Sequence, residues 1–204
     1  MIAVLLVACT DTRVDGTVAG EPVEVSSATF AAVPDLFGGD GALLVYLLPA
    51  RDACQSQAAW LEASATTRDP EALAQAWAAT FPSTFWSVDL VLRVDDPLTS
   101  QTGSWLTGAD WNAELEATEQ AYGEIRHIQG ARDAAYFGGL AGDDDPSWYT
   151  HRGLVQLHLH RPEDRLIGTF TTEAADPETG ARAGEVVIRF DATRCADLEA
   201  LLSP

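Results

Sequence analysis

Apolar and polar positions alternate most regularly toward the C-terminal end of the chain. Residues 153–160, 165–172 and 184–191 each follow a period of two, which predicts three strands with one face buried. The short link Arg161-Pro162-Glu163-Asp164 and a longer loop holding Asp176-Pro177-Glu178-Thr179-Gly180 join them, so the three predict an antiparallel meander. Residues 195–202 follow as a closing helix, with Thr193 as its cap. Upstream, residues 86–94 alternate in the same way and predict a half-buried strand. Residues 42–48 are an uninterrupted apolar run between a glycine-rich turn and Pro49, and their length favours a strand buried on both faces. Residues 14–30 predict a hairpin about Gly20-Glu21, a glycine-first pair that suits a type II′ turn. Residues 103–107 add a short strand.

The pattern changes over residues 53–80. Ala, Gln, Glu and Leu replace β-branched residues, and Asp69-Pro70-Glu71 is a helix start with a cap, a proline at the first position and an acid in the first turn. Two short helices are predicted, at 53–63 and 70–79, with Leu73, Ala76 and Trp77 on one face. Residues 109–129 are mixed: 112–120 carry helix formers, and 121–128 are closer to a strand. Residues 138–147 read as a loop. The sum is an α+β protein, mainly an antiparallel β sandwich or partly closed barrel. It carries a helical insertion at about 53–80 and a C-terminal helix.

Composition narrows the function. The chain has 204 residues, 31 acidic and 12 basic, for a formal charge of −19, and every basic residue is Arg. So negative a field repels phosphate, which argues against nucleic acid as a partner. The absence of Lys removes the P-loop lysine and the Schiff-base cofactors, and no cofactor is expected.

The N-terminus carries the most specific motif. Residues 2–8 are all apolar, too few to span a bilayer, and Cys9 follows. A buried strand is one account of them. The sequence Leu6-Val7-Ala8-Cys9 also resembles the lipobox of bacterial lipoproteins: a branched apolar residue, a tolerant position, a small residue, then Cys. The resemblance covers residues 2–9 only. It implies that the Cys9 thiol is acylated, that the bond before it is cut, and that the acyl chains hold the protein in a membrane. It divides the chain into a signal-peptide remnant (1–8), a tether (9–16) and one globular domain (17–204). The expected location is the cell envelope of a Gram-negative type of bacterium, lipid-anchored at the outer membrane on its periplasmic or surface face. The membrane is then a partner through the N-terminal lipid, and a protein or glycan partner stays unnamed.

With Cys9 lipidated, Cys54 and Cys195 are left to pair, as two cysteines do in an oxidising compartment. Each is expected in the first turn of a helix, Cys54 behind an Asp52 cap. The bridge would close a loop of about 140 residues, a constraint of about 4–5 kcal/mol in the chain-entropy model. Two buried thiols, or one nucleophilic thiol at a helix N-terminus, are the alternatives.

No residue is assigned a catalytic role. His158 and His160 lie two apart on a predicted strand, on one face, and could share a metal with His151 or His127 as a third ligand. That would make the protein a secreted metal-dependent hydrolase, although two imidazoles are also what an ordinary solvent-facing strand carries. Asp143-Asp144-Asp145 lacks the spaced acids of a calcium loop and reads as an exposed turn. Of the six Trp, the three at Trp105, Trp111 and Trp148 are candidates for a surface that stacks on sugars or clamps a peptide, against the simpler role of core packing. The leading expectation is a non-enzymatic binding or structural module on a lipid anchor, with the hydrolase as its competitor.

Overall fold

A computed structural model describes residues 12–37, 39–67, 69–108, 121–129, 147–176 and 179–202. The strands are β1 (Arg13–Val18), β2 (Glu21–Pro22), β3 (Ser27–Val33), β4 (Gly41–Leu48), β5 (Thr84–Val94), β6 (Gly103–Gly108), β7 (Ala121–Gln129), β8 (Ser147–Arg161), β9 (Arg165–Ala175) and β10 (Arg182–Arg194). The helices are α1 (Ala53–Thr66), α2 (Pro70–Thr80) and α3 (Ala196–Leu202). The strands run in the order β2-β1-β10-β3-β4-β5-β7-β6-β8-β9, and β9 pairs back onto β10. Eight of them, β3 to β10, therefore close into a barrel. Of the two expected architectures, the barrel is the one that fits, and a sandwich does not form.

Closure depends on β10 serving two partners along one edge. Its first half pairs antiparallel with β1, from Gly184↔Val18 to Arg189↔Arg13. Its last three residues pair in parallel with Ala28, Thr29 and Phe30 of β3. The other parallel contact is β6 with β7; the remaining pairings are antiparallel.

The interior is packed with side chains, as expected for a small eight-stranded ring. Leu43, Val45 and Leu47 of β4, Val88, Leu90 and Leu92 of β5, Phe170 of β9 and Phe190 of β10 meet in one core. Glycine makes room for the large rings: a Cβ on Gly168 would lie 2.5 Å from Cζ of Phe190 and 2.8 Å from the Gln156 carbonyl oxygen. The outer face of β3 and β4 is apolar too, because α1 and α3 cover it. Ala31, Val33, Ala42 and Leu44 pack there with Leu198 and Cys195, while Leu48, Phe85 and Ile128 pack with Trp60 and Leu73. Burial of β4 on both faces, expected from its apolar run, thus comes from helices laid on a barrel wall.

α3 is held at three points. Cys195 is bonded to Cys54 in the first turn of α1, across a separation of 141 residues, with Cα atoms 5.4 Å apart. The Glu199 carboxylate accepts from Arg194 Nε and Nη2, each at 2.8 Å. It also accepts from the Ala32 amide at 2.8 Å, a group left open because the β3–β10 pairing stops at Phe30. Asp52 caps α1 as expected, accepting from the Gln55 amide.

Several expected elements differ in detail. The first hairpin turns on Ala19-Gly20, both at positive φ (52° and 84°), which is a type I′ turn rather than the type II′ turn at Gly20-Glu21. Type I′ follows the twist of the flanking strands and accepts the cost of Ala19 in the left-handed region. β1 begins at Arg13, inside the stretch expected to be tether, and β3 is a separate strand rather than the end of that hairpin. Thr193 lies in β10, where its carbonyl accepts from the Thr29 hydroxyl, so it does not cap α3; the Glu199 amide instead donates to the Cys195 carbonyl at 3.3 Å. Residues 109–120 and 130–146, which include the expected helix formers at 112–120 and most of the 138–147 loop, lie outside the described residues.

Candidate functional site at one end of the barrel

Trp86 and His127 are opposite each other across the β5–β7 ladder. Period-two alternation turns both inward at the end of the barrel where β5 starts and β7 finishes. Their rings stack, with centroids 4.3 Å apart and planes within 6°. His127 Nδ1 lies 3.4 Å from an Oε2 of Glu21, which the β1–β2 hairpin brings across the barrel end. Around this group is a cavity of about 340 Å³, lined also by Glu24, Pro49, Pro82 and Phe85. Concave sites of this size with an apolar wall and a few polar groups are where small ligands bind.

A second, more polar cavity of about 530 Å³ lies beside it in sequence, lined by Thr12, Ser26, Ser27, Arg51, Asp52 and the Arg165–Asp191 pair among others. Arg165 grips Asp191 with Nε at 2.8 Å and with Nη2 as well, so the pair satisfies itself.

On the outer wall, β5 and β7 carry a buried ionic group. Asp89 lies opposite Glu124, and Arg126 reaches both, with Nη1 3.2 Å from Asp89. Burial raises the Asp89 carboxyl from 3.8 to about 6; Arg126 opposes the rise and Glu124 adds to it. Burial, with the Asp89 charge added, also pushes the Tyr46 hydroxyl above its ordinary value. Burial disfavours the Arg126 charge, but the two carboxylates outweigh it and hold the guanidinium protonated. The Ser87 hydroxyl on the same face is buried with no hydrogen-bond partner.

The histidine pair does not form a site. The β8–β9 register shifts between Leu157 and Leu159, and this bulge breaks the alternation that would have put His158 and His160 on one face. His158 is exposed, with Nε2 3.0 Å from the Thr169 hydroxyl. His160 turns into the barrel, 1% exposed. Its Nδ1 accepts from the Gln101 amide at 3.1 Å, and its ring meets Phe30 edge-on at 5.7 Å. Burial holds its pKa below the ordinary value, so it is a neutral packing residue. His127 is at the opposite end of the barrel, and the side chain of His151 lies outside the described residues. Among the described residues no group of three His, Cys, Asp or Glu is placed to hold a metal ion, and no helix is long and apolar enough to cross a membrane.

Of the three Trp candidates, Trp105 belongs to the barrel interior, 7% exposed, with Nε1 donating to the Arg93 carbonyl. Trp111 and the side chain of Trp148 lie outside the described residues, as do Cys9 and Asp143 to Asp145. The Trp86–His127–Glu21 group was not singled out from sequence. Alternation places Trp86 and His127 on inward faces, but only the strand register makes them neighbours. No protein-family model, no curated protein and no solved structure matches the chain.

Proposed function

We propose that the chain is an envelope lipoprotein, anchored through acylated Cys9, whose barrel serves as a binding module. The observation that carries the reading is the bond between two of the three cysteines. Cys54 and Cys195 are joined in one bond, so the odd cysteine is the one that ends Leu6-Val7-Ala8-Cys9. A bridge of this kind suits an oxidising compartment, and a lipobox suits export. The acidic body supports the same reading, because a charge of −19 gives no attraction to an anionic membrane, and acyl chains have to supply the attachment. The cavity at the barrel end supplies a place for a ligand. Fractionation tests the anchor. The unaltered chain is expected with membranes and Cys9→Ala in the soluble fraction, and a Cys9→Ala variant that still sediments with membranes contradicts it.

A further inference from the structure

We propose that the cavity at the Trp86–His127 end of the barrel takes an organic ammonium group. The inference rests on the reading of the barrel as a binding module, and it names the ligand class of that site. The walls decide the class by elimination. Glu21 and Glu24 stand exposed at the rim, and among the described lining residues there is no Arg. An anionic ligand is repelled by both carboxylates and by a chain of −19. A purely apolar ligand would take water from the carboxylates and return no partner, which costs free energy. A bare metal ion would need more converging ligands than the Glu21–His127 contact offers. An alkylammonium satisfies the described walls at once. Its charge faces the carboxylates, and its alkyl groups lie against Pro82 and the rings of Phe85 and Trp86, whose electron-rich faces attract cations.

Such a group has two sources, a small soluble amine or the headgroup of a zwitterionic lipid. The chain geometry brings the second within reach. Thr12 lines the neighbouring cavity together with Ser26 and Arg51, which follow Glu24 and Pro49 of the ammonium cavity by two residues each. From Cys9 to Thr12 the chain spans at most about 10 Å, so an anchor at Cys9 keeps the start of β1, beside that neighbouring cavity, close to the membrane surface.

The test uses the full chain carrying Cys9→Ala, titrated calorimetrically with choline and with its neutral isostere 3,3-dimethyl-1-butanol. Choline is expected to bind saturably, and the isostere at least about tenfold more weakly. Glu21→Gln with Glu24→Gln, both at exposed positions, is expected to narrow the preference for choline to the part the aromatic rings supply, and an unchanged preference overturns the role of the carboxylates. Equal affinity in the unaltered pocket overturns the ammonium assignment and leaves a binding module standing; saturable binding of neither ligand overturns the assignment. Flotation then separates the sources. Binding to phosphatidylcholine vesicles that choline displaces identifies the headgroup, and choline binding without vesicle binding identifies a soluble amine. Preference for phosphatidylglycerol vesicles overturns the proposal. None of these results depends on whether the native chain is acylated.

Discussion

At the scale of single residues, the most consequential side chain outside the cavity is Asp89. It sits 3.2 Å from Arg126, yet its carboxyl is raised to about 6 because burial outweighs the attraction. A buried ion pair of this kind contributes little net stability, since desolvation cancels much of the Coulomb gain. Its protonation is nevertheless felt. From about pH 4 to pH 6 the folded chain keeps a proton that the unfolded chain has lost, so stability falls across that window as pH rises and is level above it. The difference is on the order of 2–3 kcal/mol. In thermal melts Asp89→Asn should therefore gain on the unaltered chain from pH 4 to pH 6 and keep a constant margin beyond. Arg126 retains Glu124 in that variant. Parallel melting profiles for the two proteins would show that Asp89 is not held at a raised value.

At the scale of elements, β10 and α3 fix the closure of the barrel. The disulfide, the Arg194–Glu199 fork and the Ala32 amide together seat α3 against β3. Replacing both cysteines by Ala should lower stability by about 3–5 kcal/mol in denaturant titration, because a loop closed over 141 residues is released in the unfolded chain. A loss below about 1 kcal/mol would mean that the fork and the apolar seat of α3 hold it unaided. How far these elements are legible in the sequence depends on whether their cause is local. The meander β8–β9–β10 is legible because alternation and turn residues are local signals, and α1 is legible because Asp52 and an Ala-rich run are adjacent. The bulge at His158 is not, since it arises from pairing with β9 and leaves no mark on the alternating pattern. The same applies to the choice between sandwich and barrel, which is decided by three residues of β10 reaching β3. It applies to the cavity as well: Glu21, Trp86 and His127 come from three distant segments, and the register that gathers them is a property of the closed sheet.

At the scale of the whole molecule, charge and anchorage form one argument. Among the described residues, Arg13, Arg93, Arg126, Arg161, Arg165, Arg182 and Arg194 each hold a carboxylate of the same chain. Cations that are already paired add little attraction for an anionic surface, and the excess of acids sets the field. Under the proposed reading a covalent lipid holds this body at a membrane, and the one cysteine outside the clamp stands where the sequence resembles the end of a lipobox. Mass spectrometry of the N-terminal peptide, taken from the full chain produced in a bacterial envelope, tests this most directly. The account predicts a peptide that begins at Cys9 and carries acyl chains on that residue. An unmodified Cys9 thiol with residues 2–8 still attached would contradict it.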